Sequence, residues 1–248
     1  MSESYALVAE TIADLPCLTP APQDVPDAPL AVVLHGLGRH KESALTTLYL
    51  FARCGLRALA FDARLHGARP GAEGREARLQ TDYVFTMAEI VEGTAQDLSL
   101  LLDAQGVTQA AVHGVSLGGY VAYAALAADP RLAVGAMAMG SPDWLEPLRG
   151  MGLAPGHPVY DAIAARSPLE RAAELYPPRP LLLLHGDQDD VVSIAGDRAL
   201  YDRLRPVYHA VPDRLEFVIY PGLGHLYTDD MAERSAAWIA RFLPPPPR

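Results

Sequence analysis

Residues 110–119 of this chain read AAVHGVSLGG, a short apolar run that ends in a Gly-x-Ser-x-Gly pattern. A segment with helical character, residues 117–128, follows at once. A serine on so tight a strand-to-helix turn needs a strained backbone, which is tolerable because the residues two positions to either side are glycines. We predict that Ser116 is a nucleophile on this turn and that the Leu117 amide, at a helix N-terminus, can bind an oxyanion. The alternative is a glycine-rich junction whose serine only caps the helix.

On both sides of this motif, the chain alternates short apolar runs with longer segments of helical periodicity. This alternation is typical of parallel strands joined by crossover helices. Because most of the runs are apolar throughout, we expect helices to cover both faces of the sheet. The sequence thus predicts an α/β fold with a mostly parallel central sheet and an antiparallel edge strand over residues 5–12. The predicted strands are 30–34, 56–61, 110–115, 132–139, 181–184 and 215–220, and the predicted helices are 42–53, 88–103, 117–128, 196–208 and 229–242.

Composition limits the classes of protein to which this chain can belong. Its 248 residues are 50% hydrophobic and only 20% charged, so we expect one large domain over residues 1–248, with a proline tail at 244–247. A net charge of −10 without a basic stripe argues against nucleic acid and membranes as partners. Cys17 and Cys54 form neither a disulfide framework nor a metal-ligand spacing. With no apolar run of membrane-spanning length and no signal peptide, a cytoplasmic location is predicted.

Residues 141–180 break the alternation because they contain many prolines and several large apolar side chains. A link between a strand and a helix is usually far shorter than this. The stretch follows a strand that ends near Gly140, and ligands of open parallel sheets bind at that edge. We therefore predict a small lid or insertion beside the site, with a decorative surface loop as the alternative. The predicted pocket residues are Trp144, Leu145, Met151, Leu153 and Tyr160.

A serine hydroxyl becomes a good nucleophile only when a base removes its proton. His225 is the candidate base, because it follows the last predicted strand through a glycine-containing loop at the same edge of the sheet. The imidazole in turn needs a carboxylate that fixes its tautomer. Asp187, Asp189 and Asp190 all lie just beyond the preceding strand, and sequence position alone does not choose among them.

A second glycine turn, His35-Gly36-Leu37-Gly38, closes the predicted strand over residues 30–34. It lets the Leu37 amide point toward the same edge of the sheet as Ser116. We predict that Leu37 joins Leu117 as a donor to the oxyanion, and loss of one such donor in comparable sites costs about a hundredfold in rate. An ordinary strand-ending turn is the alternative.

In combination, the H-G-L-G, G-V-S-L-G, H-G-D-Q-D-D and G-L-G-H motifs resemble the α/β-hydrolase superfamily across nearly the whole chain. That superfamily has its nucleophile, acid and base in this order along the chain. Ser116, the acids within residues 187–190 and His225 follow it. The resemblance implies an α/β-hydrolase fold, and it supports Leu37 as an oxyanion donor.

Residues 61–69, FDARLHGAR, are similar to a loop of small bacterial esterases related to dienelactone hydrolases and prolyl-oligopeptidase-type domains. In that group the acid is the fourth residue after the histidine of H-G-x-x-D, which implies Asp189, with Asp190 as the alternative. Dienelactone hydrolases proper have a cysteine nucleophile where this chain has serine, so their specific activity is not implied. We expect His66 and Arg69 to brace this loop through hydrogen bonds; the alternative is that they line the mouth of the site.

Together these residues predict a serine carboxylesterase that hydrolyses small to medium esters through an acyl-enzyme intermediate, without a metal ion or an organic cofactor. The expected partner is a small-molecule ester. Amide, peptide or thioester hydrolysis is an alternative, because the same three residues do not determine the leaving group. A binding protein without catalytic activity is a further alternative, since a fold does not fix a function.

Overall fold

The computed structural model of this chain describes residues 6–21 and 28–243. Within them, one sheet contains the strands β1 (Ala6–Ile12), β2 (Leu15–Ala21), β3 (Leu30–Leu34), β4 (Arg57–Phe61), β5 (Ala110–Val115), β6 (Leu132–Ala138), β7 (Leu181–Gly186) and β8 (Leu215–Tyr220). Their order across the sheet is β1-β2-β4-β3-β5-β6-β7-β8. All pairs from β4 to β8 are parallel, so the carboxyl ends of these strands meet at one edge.

Helices cover both faces of the sheet. They are α1 (Leu45–Arg53), α2 (Arg75–Thr81), α3 (Tyr83–Ala104), α4 (Leu117–Ala128), α5 (Glu146–Gly150), α6 (Pro158–Ala164), α7 (Ala172–Leu175), α8 (Ala195–Leu204) and α9 (Asp229–Phe242). Leu48 of α1 and Ile239 of α9 belong to the core on one face, and Leu98 of α3 and Leu200 of α8 to the core on the other. The predicted fold class, a mostly parallel sheet between two helical layers, is confirmed. No helix in the described ranges is both long and apolar enough to cross a membrane.

The N-terminal edge differs from the prediction of a single antiparallel strand beginning at residue 5, which lies outside the described residues. β1 and β2 form an antiparallel hairpin, and β2 continues the sheet by pairing with β4 at Cys17 and Leu18. Pro16 and Pro20 lie within β2. Proline has no N–H to donate to a neighbouring strand and is therefore unusual within strands. For this reason the sequence pattern did not predict β2.

Helix boundaries also depart from the periodicity. The predicted helix 42–53 divides into a 3-10 turn, Lys41–Ala44, and α1. α3 begins at Tyr83 rather than at residue 88, because the side chain of Asp82 caps it by accepting a hydrogen bond from the Phe85 N–H. α2 has no counterpart among the predicted helices. The predicted tail at 244–247 lies outside the described residues.

Residues 141–180 contain α5, α6, α7 and a 3-10 turn, Pro168–Arg171. Side chains of α5 and α6 pack on Ala88 of α3 and form a small apolar cluster of their own. The segment therefore lies against the N-terminal part of α3. It begins directly after β6, at the edge of the sheet where the parallel strands end.

Candidate active site

Ser116 occupies the turn between β5 and α4 with φ 55° and ψ −116°. A residue with a side chain rarely adopts this backbone conformation, so the turn is strained. A Cβ on Gly114 would lie 2.0 Å from the carbonyl oxygen of Gly118, and a Cβ on Gly118 would lie 2.3 Å from that of Leu34. Glycines at these two positions therefore allow the strand and the helix to approach closely enough to form the turn.

His225 lies in the loop between β8 and α9, and its Nε2 is 3.0 Å from the Oγ of Ser116. Its Nδ1 is 2.7 Å from Oδ2 of Asp189, in the loop after β7. Because an ionised carboxylate only accepts hydrogen bonds, Nδ1 carries the ring proton and Nε2 is left to accept the proton of the serine. The structure thus brings Ser116, His225 and Asp189 into the arrangement of a nucleophile, a base and an acid.

The carboxyl group of Asp189 is completely buried. Its Oδ1 accepts hydrogen bonds from the N–H groups of Val191 (3.0 Å) and Val192 (2.9 Å). Burial by itself would raise the pKa of Asp189, but the donors from Val192, His225 and Val191 outweigh burial and hold this pKa below its usual value. Asp189 is therefore ionised at neutral pH, as the tautomer of His225 requires.

The two other acids of this loop face elsewhere. Asp187 accepts a hydrogen bond from the N–H of Gly222 at 2.7 Å, and Asp190 is exposed. Residues 6–21 and 28–243 contain no group of three or more His, Cys, Asp or Glu side chains placed to hold a metal ion. The loop after β7 therefore contributes one carboxylate to the site, that of Asp189, which contacts the imidazole of His225.

Two backbone amides are available beside the serine. Leu117 is the first residue of α4, and a first-turn N–H has no acceptor within its own helix. Leu37 lies in the exposed loop after β3. Neither amide donates a hydrogen bond to another described residue, and both residues line the cavity that contains Ser116. The positions suit donors to a substrate's carbonyl oxygen.

The loop after β4 is fixed by hydrogen bonds within the protein. His66 is fully buried, and its Nδ1 lies 2.7 Å from the carbonyl oxygen two residues earlier. Arg69 donates to the buried Asp97 of α3 at 2.9 Å. His35 accepts from the N–H of Ala63 at 3.0 Å, which ties this loop to the loop that carries Leu37. These contacts correspond to the bracing role expected for His66 and Arg69.

An apolar cavity of about 370 Å³ opens at Ser116 and His225. Its volume lies in the range of small-molecule sites. One wall comes from α3 and another from the insertion, and Glu146 contributes a carboxylate to walls that are otherwise mainly apolar. The side chains that form these two walls are Tyr83, Val84, Met87, Ala88, Val91, Trp144, Glu146, Pro147, Leu148 and Ile163.

Of the five predicted pocket residues, Trp144 lines this cavity and the other four lie outside its walls. Leu145 and Tyr160 are buried between the insertion and α3, Leu153 packs against the same cluster, and Met151 is exposed. An insertion of this size needs a small core of its own, and its apolar side chains are used for that before they can face a ligand.

The α3 wall is the part of the cavity that the sequence prediction missed. Val84, Met87, Ala88 and Val91 follow the spacing i, i+3, i+4 and i+7, so they form one apolar stripe of a helix. The capping residue Asp82 marks the start of this helix and is the signal that could have revealed it.

A second cavity, of about 610 Å³, adjoins Ser116 and His225 from the side of β3 and α1. Its walls include the polar side chains of Arg39, Ser43 and Thr47. The serine and the histidine therefore stand between a mainly apolar cavity and a more polar one.

Two family models match the chain. The model of the prolyl oligopeptidase family matches residues 99–244, and the model described as serine aminopeptidase, S33, matches residues 26–149. The first of these matches contains the serine, the acid and the histidine. The second ends within the insertion and contains the loop of Leu37.

Individual proteins resemble the chain over most of its length. The presumed esterase YitV of Bacillus subtilis (strain 168) is 28% identical over 233 residues, and the match covers 87% of this chain and 89% of that protein. Monoacylglycerol lipase of Mycolicibacterium smegmatis is 26% identical over 241 residues, with 79% of this chain and 80% of the lipase covered. The crystal structure of TT1662 from Thermus thermophilus has a TM-score of 0.79 and 28% identity, and the match covers 98% of this chain and 99% of that one.

Proposed function

Since the chain belongs to the prolyl oligopeptidase family of the α/β-hydrolase superfamily and is a hydrolase, we propose that it is a serine carboxylesterase. The observation that carries this proposal is the set of two hydrogen bonds that joins Ser116, His225 and Asp189 at the opening of an apolar cavity. Relatives named as an esterase and as a lipase support ester bonds as the target.

In the first half of the proposed reaction, Nε2 of His225 takes the proton of Ser116 as Oγ forms a bond to the carbonyl carbon of the ester. The Leu37 and Leu117 amides donate hydrogen bonds to the oxyanion of the tetrahedral intermediate. The bond to the alcohol oxygen then breaks, and the leaving alcohol takes the proton from His225. Asp189 stabilises the imidazolium while it exists.

In the second half, His225 removes a proton from a water molecule, and the resulting hydroxide attacks the acyl-enzyme. The bond between the acyl group and Oγ breaks, and Ser116 recovers its proton from the imidazolium. The products are the carboxylic acid and the alcohol, and each step uses side chains or amides that the described residues supply.

The cavity walls support an apolar acyl group of small to medium size as the part of the substrate that α3 and the insertion enclose. Glu146 disfavours acyl groups that carry a negative charge of their own. The more polar second cavity suits the alcohol part of the ester. Its walls include Leu226 and Tyr227, which directly follow His225 in the chain, and in this mechanism His225 protonates the oxygen of the leaving alcohol.

Enlarging one cavity residue should change selectivity without changing the chemistry. In the parent protein, we expect kcat/KM to rise from acetyl to hexanoyl esters by up to about fourfold per methylene group buried. Ala88→Leu fills the cavity beside α3 and should lower kcat/KM for the hexanoyl ester at least about tenfold, with the acetyl ester changed less than about threefold. Steady-state rates on a series of nitrophenyl esters measure both values.

Ala104→Leu is the matched control, because residue 104 is exposed and lies on the same helix. Equal losses of kcat/KM on the acetyl and hexanoyl esters in Ala88→Leu would contradict this placement of the acyl group.

The type of bond that is cleaved can be tested directly. Matched ester, amide and thioester substrates with one acyl group should give the highest kcat/KM for the ester, and a phosphonylating reagent should add one stable adduct at Ser116, detected by intact mass. A preference for the amide would replace this proposal with peptidase activity, the function after which both matching family models are named. Absence of both turnover and adduct would leave a binding protein.

A further inference from the structure

A second histidine lies directly behind the proposed acid. The side chain of His185, near the end of β7, is completely buried. Its Nδ1 is 2.8 Å from Oδ2 of Asp197. Its Nε2 is 2.9 Å from the carbonyl oxygen of Val192 and 3.3 Å from Oδ2 of Asp189. Both ring nitrogens therefore face oxygen atoms that accept hydrogen bonds.

A neutral imidazole has only one N–H, so it would direct a lone pair at one of these oxygens. The carbonyl of Val192 can only accept, which places a proton on Nε2 of His185. The short contact between Nδ1 and Asp197 needs a second proton, carried by one partner or the other. The His185 and Asp197 pair thus holds one proton more than a neutral ring beside a carboxylate would hold.

Two neighbours of the pair favour the second proton on the ring. The side chain of Asp197, on α8, is completely buried, and its Oδ1 accepts a hydrogen bond from the hydroxyl of Tyr123, on α4, at 2.6 Å. This donor stabilises the carboxylate form of Asp197. The ionised Asp189 faces the other end of the ring and favours a positive charge there.

The pKa values of both partners are shifted upward. Burial, the largest cause, and Asp189 raise the pKa of Asp197 above its usual value, although the hydrogen bonds from His185 and Tyr123 act against them. Burial by itself would lower the pKa of His185, but Asp197, Val192 and Asp189 together raise it above its usual value. The groups that face the pair are Tyr123 from α4, Asp189 from the loop after β7 and, beyond Asp189, His225. Within the described part of the chain, no lysine or arginine forms an ion pair with Asp197 or Asp189.

We propose that His185 is an imidazolium at neutral pH, held by Asp197, that acts as a positioning residue for Asp189; this inference rests on the proposed function of the site. Its Nε2–H donates to the carbonyl of Val192, whose own N–H donates to Asp189. The loop is therefore held from both sides with Oδ2 of Asp189 directed at His225. The positive charge also offsets part of the negative charge of Asp189 that His225 experiences.

Asp197→Asn separates the charge from the hydrogen bond. The asparagine amide can donate to Nδ1, so the ring becomes neutral while its Nε2–H still reaches the carbonyl of Val192. The variant loses the positive charge of His185, which faces Asp189, together with the negative charge of Asp197 on the opposite side of the ring, so the negative charge of Asp189 is less well offset. We expect the acid limb of the pH–rate profile to move to higher pH by about one unit, with the plateau rate lowered by less than about threefold.

The acid limb can be measured without an ester substrate. The rate at which a fluorophosphonate labels Ser116 is determined from pH 5 to pH 9. Asp129→Asn is the matched control, because it neutralises a buried carboxylate that is paired with Arg131 and lies at the far end of α4. The proposal is supported if only Asp197→Asn shifts the limb. It is overturned if the profile of Asp197→Asn coincides with that of the parent or if the control shifts equally.

Nitrogen-15 NMR of the histidine-labelled parent protein tests the charge even if the variant does not fold. At pH 7 both nitrogens of His185, assigned by their loss in His185→Gln, should show the shifts of a protonated ring; a bare nitrogen would overturn the inference. The two proposals fail separately. If the protein hydrolyses esters but a ring nitrogen of His185 is unprotonated, only the positioning role is excluded. If His185 is charged but the protein neither hydrolyses esters nor is labelled, the esterase function and the role that rests on it are both excluded.

Discussion

Ser116→Ala is expected to lower the turnover of a short-chain ester by a factor of about 10⁴ or more while the protein stays folded. In the proposed mechanism Oγ of Ser116 forms the acyl-enzyme, and the variant lacks this oxygen and the proton that His225 would remove from it. The lost hydroxyl borders two cavities rather than the core. The midpoint of thermal unfolding should therefore change by less than about 2 °C. Steady-state kinetics and thermal unfolding of the same preparations measure both quantities.

Two further substitutions make this test specific. Ser116→Gly should be equally inactive but more stable than the parent by up to about 1 kcal/mol, because glycine relieves the strain of φ 55° and ψ −116°. Ser235→Ala alters a buried serine of α9 whose hydroxyl bonds within its own helix, and it should retain activity. Turnover retained by Ser116→Ala would remove Ser116 from the role of nucleophile.

Asp189→Asn is expected to lower kcat by a factor of about 10³ to 10⁴, because a neutral amide neither fixes the tautomer of His225 nor stabilises the imidazolium. The same change at the exposed Asp190 or at Asp187, which bonds to the backbone of Gly222, should leave kcat within about threefold. The three variants differ only in which carboxylate of one loop becomes neutral. Kinetics of this set distinguish the acids, and greater damage in Asp190→Asn would show that the acid is misassigned.

The parts of the molecule that the sequence predicts well are those where backbone geometry restricts the residue type. Gly114 and Gly118 leave no space for a Cβ, so the motif around Ser116 implies a strand, a turn and a helix together. The parallel strands of the core were predicted because burial on both faces requires apolar residues throughout. The serine, the acids and the histidine each follow the carboxyl end of a parallel strand, so all of them lie at one edge of the sheet.

Contacts between distant segments were not readable in the same way. Three acids follow β7, and what distinguishes Asp189 is the pair of amides from Val191 and Val192 that hold it beneath His225. These hydrogen bonds depend on the conformation of the loop and not on the residue type. In the sequence, only the resemblance to known hydrolases favoured Asp189 over the other two acids. The insertion was recognised, but not which of its side chains would cover α3 and which would face the cavity.

The division of the cavity walls between α3 and the insertion has a consequence for how selectivity can change. The serine, the acid and the histidine lie on loops after β5, β7 and β8, outside residues 141–180. The part that contains α5 and α6 has a cluster of its own and is the part to exchange for the corresponding segment of a relative, whereas Leu169, Ala172 and Tyr176 belong to the main core. Such a graft changes the shape of the cavity, and Ser116, Asp189 and His225 stay on the scaffold that aligns them.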